Sequence, residues 1–130
     1  MPEDAQAAFA RVRRIAAALP ETSERLSHGH PALFVAARDG RPGRQFAHLL
    51  DDHHGDGRVA LWIAAPEGAQ AALVDAAPHR FFRPPYVGHR GWLGVVLAAD
   101  IDDDELTGLL EDAYVTVAPA RLVRALDERP

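Results

Sequence analysis

The stretch Ala32-Leu33-Phe34-Val35-Ala36-Ala37, Arg38-Asp39-Gly40-Arg41-Pro42-Gly43, Arg44-Gln45-Phe46-Ala47-His48-Leu49-Leu50 reads as strand, turn, strand. Two apolar runs flank a cluster of Gly, Pro and Asp, so a hairpin with a long, arginine-bearing tip is expected. Asp51 to Gly57 forms a second turn signal, and Arg58 to Ala64, with Val59, Leu61, Trp62 and Ile63, a third strand. For consecutive strands with short connections the simplest topology is an antiparallel meander.

Upstream, His28-Gly29-His30-Pro31 leads into the first strand, and Glu21 to Ser27 reads as polar and turn-like. Asp4 to Leu19 has Phe9, Val12, Ile15, Ala16 and Leu19 on one helical face, with Pro20 as a stop. Its Arg11, Arg13 and Arg14 are expected on a solvated face.

Downstream, Pro66 suits a first helical position, and Ala69 to Ala77 a short helix presenting Leu73 and Val74. Trp92 to Ala98 is nearly all apolar, as a strand inside a sheet would be. Gly94 within it predicts a bulge or a close backbone approach. Asp102 and Glu105 form a variant capping box. The stripe Leu106, Leu109, Leu110, Ala113, Tyr114 and Val117 then predicts a three-turn helix. Pro119 opens a last helix, with Leu122, Val123 and Leu126 inward and Arg121 and Arg124 outward. The sum is a single α+β domain over residues 1–130, an antiparallel β-sheet meander packed against N-terminal and C-terminal helices.

Composition removes several chemistries. No cysteine is present, so disulfides, thiolate metal sites and cysteine nucleophiles are excluded. All 14 basic residues are arginine, which excludes a Schiff-base or P-loop lysine. There is no glycine-rich phosphate cradle, and Ser23 and Ser27 lie in no nucleophile-elbow pattern. A catalytic role is therefore not expected. The net charge of −5 argues against non-specific nucleic-acid binding, although a local basic patch can dominate. No apolar run approaches a membrane span, and the acidic N-terminus does not resemble a signal peptide, so a cytoplasmic setting without membrane association is the default.

One stretch carries outward chemical character. Pro78 to Trp92 holds Arg80, Arg83, Arg90, His79, His89, Phe81, Phe82, Tyr86 and Trp92, and no acid. Its prolines and glycines predict an irregular loop. Its arginines can pair with phosphates or carboxylates, and its aromatics can stack on flat ligands. Arg38, Arg41 and Arg44 at the hairpin tip would extend a positive surface if they lie on the same side. The acidic run Asp100 to Glu105 is expected to serve helix capping. The seven histidines are expected to be structural or exposed. A metal-dependent reading would require three or more of His28, His30, His48, His53, His54, His79 and His89 to converge.

Several segments, in order, resemble the MmcQ/YjbR family. They are Leu19-Pro20-Glu21-Thr22, His28-Gly29-His30-Pro31, Arg44-Gln45-Phe46-Ala47, Pro84-Pro85-Tyr86-Val87-Gly88-His89-Arg90-Gly91-Trp92 and Ala118-Pro119-Ala120-Arg121-Leu122. The resemblance implies a CyaY-like (frataxin-like) α+β fold with helices on one side of the sheet. It implies no cofactor, and iron binding does not follow from a likeness of fold. The family has been likened to DNA-binding proteins with two wings. That comparison implies one wing around Arg38–Arg44 and a contact surface including Arg80, Arg83 and Arg90. Relatives often carry a basic residue where Ala120 stands, and that charge is lost here.

The expected function is a non-enzymatic binding module with DNA as ligand. Candidate contacts are Arg80, Arg83, Arg90, Tyr86, Trp92, His89, Arg38, Arg41, Arg44 and His28. An open surface shared by Arg80, Arg83 and Arg90 would support this; pairing with Asp102–Glu105 would remove it. The alternative is a protein-interaction or small-anion module, with Tyr86, Trp92 and His28 lining a concave site.

Overall fold

The computed structural model describes residues 4–36, 39, 41–97 and 101–129. Among them the chain order is α1 (Ala5–Ala16), β1 (Thr22–Ser27), β2 (His30–Ala36), β3 (Pro42–Asp51), β4 (Val59–Ile63), α2 (Ala69–Ala76), β5 (Phe81–Phe82), β6 (Leu93–Val96), α3 (Asp103–Val117) and α4 (Ala120–Glu128). The strands form one sheet in the order β1-β2-β3-β4-β6-β5, with every neighbouring pair antiparallel. The α+β reading matches this architecture, as does the meander expected through the strands seen here as β2, β3 and β4. Beyond β4 the chain steps to the far edge, and β6 then fills the interior position between β4 and β5.

Several local expectations need correction. The polar segment before His28 is not a turn but edge strand β1, paired along its length with β2. An edge strand needs no apolar alternation, and polar residues protect its open side. Two residues, His28 and Gly29, make the reversal, with φ of 52° and 81°. Positive φ at both central positions fits the twist of a tight hairpin. His28 therefore sits in the turn and is not extended. Pro66 lies before the Gly68 cap of α2 instead of opening the helix. The Pro78–Trp92 stretch is not wholly irregular: Phe81-Phe82 forms β5, and Gly88–Arg90 a single 3-10 turn.

Arg13 and Arg14 of α1 are exposed, as expected of a solvated face, while Arg11 is half-buried, and all three also act as tethers. Arg11 donates from Nε to Asp103 at 3.1 Å and from Nη2 to the Ile101 carbonyl at 2.6 Å. Arg14 reaches the other oxygen of Asp103 at 2.9 Å, and Arg13 holds Glu24 through two hydrogen bonds. Helix α1 is thus pinned to the start of α3 and to β1. At that start, Asp102 accepts from the Glu105 backbone N–H at 2.8 Å, the predicted cap. Asp100 lies outside the described residues.

Helix α3 packs on the sheet through Tyr114, whose ring meets Phe46 edge to face at 5.7 Å. The Tyr114 hydroxyl donates to the Pro20 carbonyl at 2.6 Å, and burial holds its pKa above the ordinary phenol value. On β3 a register irregularity sets which residues face α3. Leu33 pairs with Ala47, but Phe34 pairs with Gln45, leaving Phe46 as an extra residue. Such a bulge breaks the period-two alternation. Gln45 and His48 consequently share the face turned away from α3, although their odd spacing would otherwise oppose them.

Candidate functional site

The face turned away from α3 carries a pocket of about 660 Å³. Its floor is Trp62 and His48, partners across the β3–β4 ladder, with rings 6.1 Å apart and nearly perpendicular. Both are buried, at 3% and 8% exposure. One wall comes from the β1–β2 hairpin. There His28 occupies the turn, and His30 lies with its ring 5.9 Å from that of His48. A second wall is the 3-10 turn His53–Gly55, where the His53 ring stands 4.8 Å from Trp62 and 4.1 Å from His54. Tyr86, Val87 and Trp92 close the third side, and Gln45 adds an amide made available by the bulge.

The third wall is held from outside. Gln70 of α2 donates to the carbonyls of Gly88 and Trp92 at 2.8 and 2.5 Å, clamping both ends of the loop's 3-10 turn. Gly88 fits there because a Cβ would lie 2.6 Å from the Arg83 Cγ. Backbone strain gathers around the pocket. Among the described residues, the non-glycine positions with positive φ are Glu21, His28, Asp52, His54 and Tyr86. Three of these five line the pocket, and for a tyrosine the left-handed region is unusual. Strain of this kind, of order 1–3 kcal/mol per residue, persists where surrounding structure over-determines it, often at binding sites.

The pocket's electrostatics follow from crowded imidazoles. His48 Nε2 lies 2.9 Å from the Ser27 carbonyl, which can only accept, so Nε2 carries the proton and Nδ1 is the ring's acceptor. Burial holds the His48 pKa below the ordinary imidazole value. The Ser27 carbonyl opposes that shift, and His30, His28 and His53 add to it. His53 is lowered likewise by desolvation, then by His54 and His30, with Asp56 opposing. Two imidazolium charges about 6 Å apart repel by roughly 3 kcal/mol at an effective dielectric of about 20. His48 and His53 are therefore both biased toward their neutral forms. The Trp62 Nε1 is buried and has no acceptor among the described residues. A buried donor left this way costs about 1–3 kcal/mol, which a ligand acceptor would recover.

A model of the YjbR family matches residues 17–116. The chain belongs to the YjbR family. Every residue lining this YjbR pocket, from His28 to Trp92, falls inside the matched region. The YjbR chain is also similar to the crystal structure of Deinococcus radiodurans protein DR2400, which has a DUF419 domain. The TM-score is 0.71 at 18% identity, covering 92% of this chain and 87% of that one. At that identity the likeness is one of fold. No curated protein matches the chain.

The sequence-based candidates divide among several places in the YjbR domain. Tyr86, Trp92 and His28 meet in the pocket. Arg80 is 23% exposed, and its guanidinium pairs with Glu105 in the first turn of α3 at 2.5 Å. This is the pairing with the Asp102–Glu105 run that weighs against a shared open surface of Arg80, Arg83 and Arg90. Arg41 pairs with its near neighbour Asp39 at 2.7 Å. Arg44, Arg83, His89 and Arg90 are exposed, and the Arg90 guanidinium lies 5.5 Å from the Trp92 ring. Arg38 lies outside the described residues.

Five histidines converge, more than the three a metal reading requires, yet no group among the described residues is arranged to hold a metal ion. His79 and His89 are not among the lining residues. Sequence reasoning did not assign His30, Gln45, His48, His53, His54, Trp62 and Val87 to a ligand site. The signal for His30 and His48 was the hairpin itself: Ala32 pairs with His48, which brings His30, two residues from Ala32, onto the same face. Sequence reasoning also passed over Arg25 and Arg58, which stack on Phe34 at 4.4 Å and Phe82 at 4.1 Å.

Proposed function

We propose that this YjbR domain is a non-enzymatic binding module whose pocket holds a small, flat, largely apolar ligand. The observation that carries this reading is the enclosure of about 660 Å³ floored by Trp62 and His48, with a buried indole N–H awaiting an acceptor. That volume lies within the range of roughly 300–1,000 Å³ common to small-molecule sites. The clustering of left-handed non-glycine residues on the pocket walls supports it independently. A CyaY-like fold and a cytoplasmic setting belong to the same reading. The first is supported by the antiparallel sheet with α3 packed on one face. The cysteine-free sequence is compatible with the second.

The test is a fluorescence titration with phenylnaphthylamine, a neutral flat aromatic probe. Saturable micromolar binding is expected. Tyr86→Ala should weaken it about tenfold, or about 1.4 kcal/mol. Because Tyr86 is 71% exposed, that change leaves the core intact. Gln45→Trp, which fills the pocket from β3, should abolish binding. A flat titration of the unaltered protein, or one indifferent to Gln45→Trp, would remove the reading.

A second reading, nucleic-acid binding, is favoured by one observation. Arg25, Arg58 and Arg90 stack on aromatic rings and have no carboxylate partner among the described residues. Stacked guanidinium groups keep their charge available to phosphates. Anisotropy of labelled duplex DNA should then rise at low salt and fall steeply toward physiological salt. Arg83→Ala/Arg90→Ala should weaken binding at every salt concentration. No binding at low salt would end this reading while leaving the pocket untouched.

A further inference from the structure

We propose that the pocket takes a small aromatic anion and gains at least one proton on binding it. The proposal rests on the small-ligand reading above and narrows it to one chemical class.

The first argument is the sign of the lining. No carboxylate is among the lining residues, so a cationic ligand would find no counter-charge there. Hydrogen-bond donors, in contrast, are plentiful. The Trp62 N–H is buried without an acceptor, and Gln45 offers an amide. Arg90, permanently charged, lies against the Trp92 ring that forms part of the wall. Burying an anion without such donors and positive charge would be prohibitive.

The second argument is the spacing of the imidazoles. His53 is at the centre, with ring centroids 5.8 Å from His30 and 4.1 Å from His54, and His30 lies 5.9 Å from His48. Close packing of groups of one potential charge disfavours the charged forms of His48 and His53 when the pocket holds no negative charge. An anion among them reverses that balance, because it stabilises any imidazolium within several ångströms. The groups that face the cluster are few. His28 comes from the hairpin turn, His30 from β2, His48 from β3, and His53 and His54 from the 3-10 turn. Tyr86 and Arg90 come from the loop, and Asp56 acts on His53 from beyond its turn. Asp56 is the one carboxylate in this set, and it is exposed.

The third argument is the orientation of His48. With Nε2–H committed to the Ser27 carbonyl, the neutral ring offers only an acceptor at Nδ1. Protonation turns that acceptor into a donor without moving the ring. Proton uptake thus converts the floor from one that repels an anion's lone pairs to one that binds them. The sign follows by linkage: if the complex binds more protons than the free protein, affinity rises as pH falls.

The experiment compares anilinonaphthalene sulfonate with phenylnaphthylamine, two probes that share an aromatic skeleton and differ by one anionic group. Each is titrated at about pH 8 and about pH 6, the window in which histidines titrate. The sulfonate is expected to bind at least tenfold more tightly at the lower pH, and the neutral probe to change less than twofold. Calorimetry in two buffers of different ionisation heat should count about one proton taken up per sulfonate bound. His48→Gln/His53→Gln should flatten the pH dependence while the neutral probe still binds. Gln45→Trp should block both probes.

If both probes bind alike, with no pH dependence and no proton uptake, the anion proposal is overturned and the pocket reading stands. If sulfonate binding persists in Gln45→Trp, it lies elsewhere and the proposal fails. If neither probe binds the unaltered protein, the pocket reading falls together with it.

Discussion

Phe46→Ala is expected to cost about 3–5 kcal/mol of stability, the range for removing a large buried aromatic side chain. Phe46 is fully buried, as is Tyr114, against whose ring it packs. The deletion would leave a cavity between β3 and α3 that neither element can close, because Tyr114 is fixed by its bond to the Pro20 carbonyl. Since a domain of this kind has a total stability of about 5–15 kcal/mol, the variant would stand near its folding threshold. Urea denaturation followed by circular dichroism measures the effect. Phe46→Leu, which retains much of the volume, should recover more than half of the loss. A cost below about 1 kcal/mol for Phe46→Ala would contradict the packing described here.

The same residue explains why the pocket was less legible in the sequence than the fold. Strands, helices and their order follow from apolar periodicity and from Pro and Gly punctuation, and those signals are local. Of the predicted stripe, Leu106, Leu110, Ala113, Tyr114 and Val117 are buried and Leu109 is half-buried against them. The close approach expected at Gly94 is there, against Phe82. A bulge is not local. Nothing in Gln45-Phe46-Ala47-His48 announces that Phe46 is supernumerary, because the cause lies in pairing with β2 and packing under Tyr114. Strict alternation puts Gln45 and His48 on opposite faces, so Gln45 cannot be placed in the pocket from it. Strand β1 escaped for a different reason: a polar edge strand has the composition of a loop, and only its partner identifies it. The basic loop was conspicuous for its charges, yet Arg80 is neutralised by Glu105, 25 residues away in sequence. Charge pairing across such distances has no sequence signature. What the loop does contribute to the pocket is its aromatic wall, Tyr86 and Trp92, braced by Gln70, a residue with no apparent chemical role when read in line.

Gly94→Ala is expected to destabilise the domain by about 1–3 kcal/mol, the range for an added methyl in a packed site. Gly94 is paired with Trp62 on one side and Phe82 on the other. A Cβ at position 94 would lie 2.4 to 2.6 Å from three atoms of the Phe82 ring. Those atoms cannot be displaced freely, because Arg58 stacks on the same ring at 4.1 Å. Moving the ring would therefore disturb the Arg58 contact and loosen β5, which is only two residues long. Backbone strain is not the cause, since the φ of Gly94 lies outside the left-handed region. The clash alone opposes the substitution, and this gives the prediction a sign that can be reversed. In a Phe82→Ala background the methyl meets no ring, and Gly94→Ala should become neutral or slightly stabilising, by up to about 1 kcal/mol. There the gain comes from restricting the unfolded chain. The two substitutions should therefore couple by about 1–3 kcal/mol in a double-mutant cycle read by urea denaturation. Additive effects would mean that the Phe82 ring does not occupy the space above Gly94, and that the glycine is required there for some other reason.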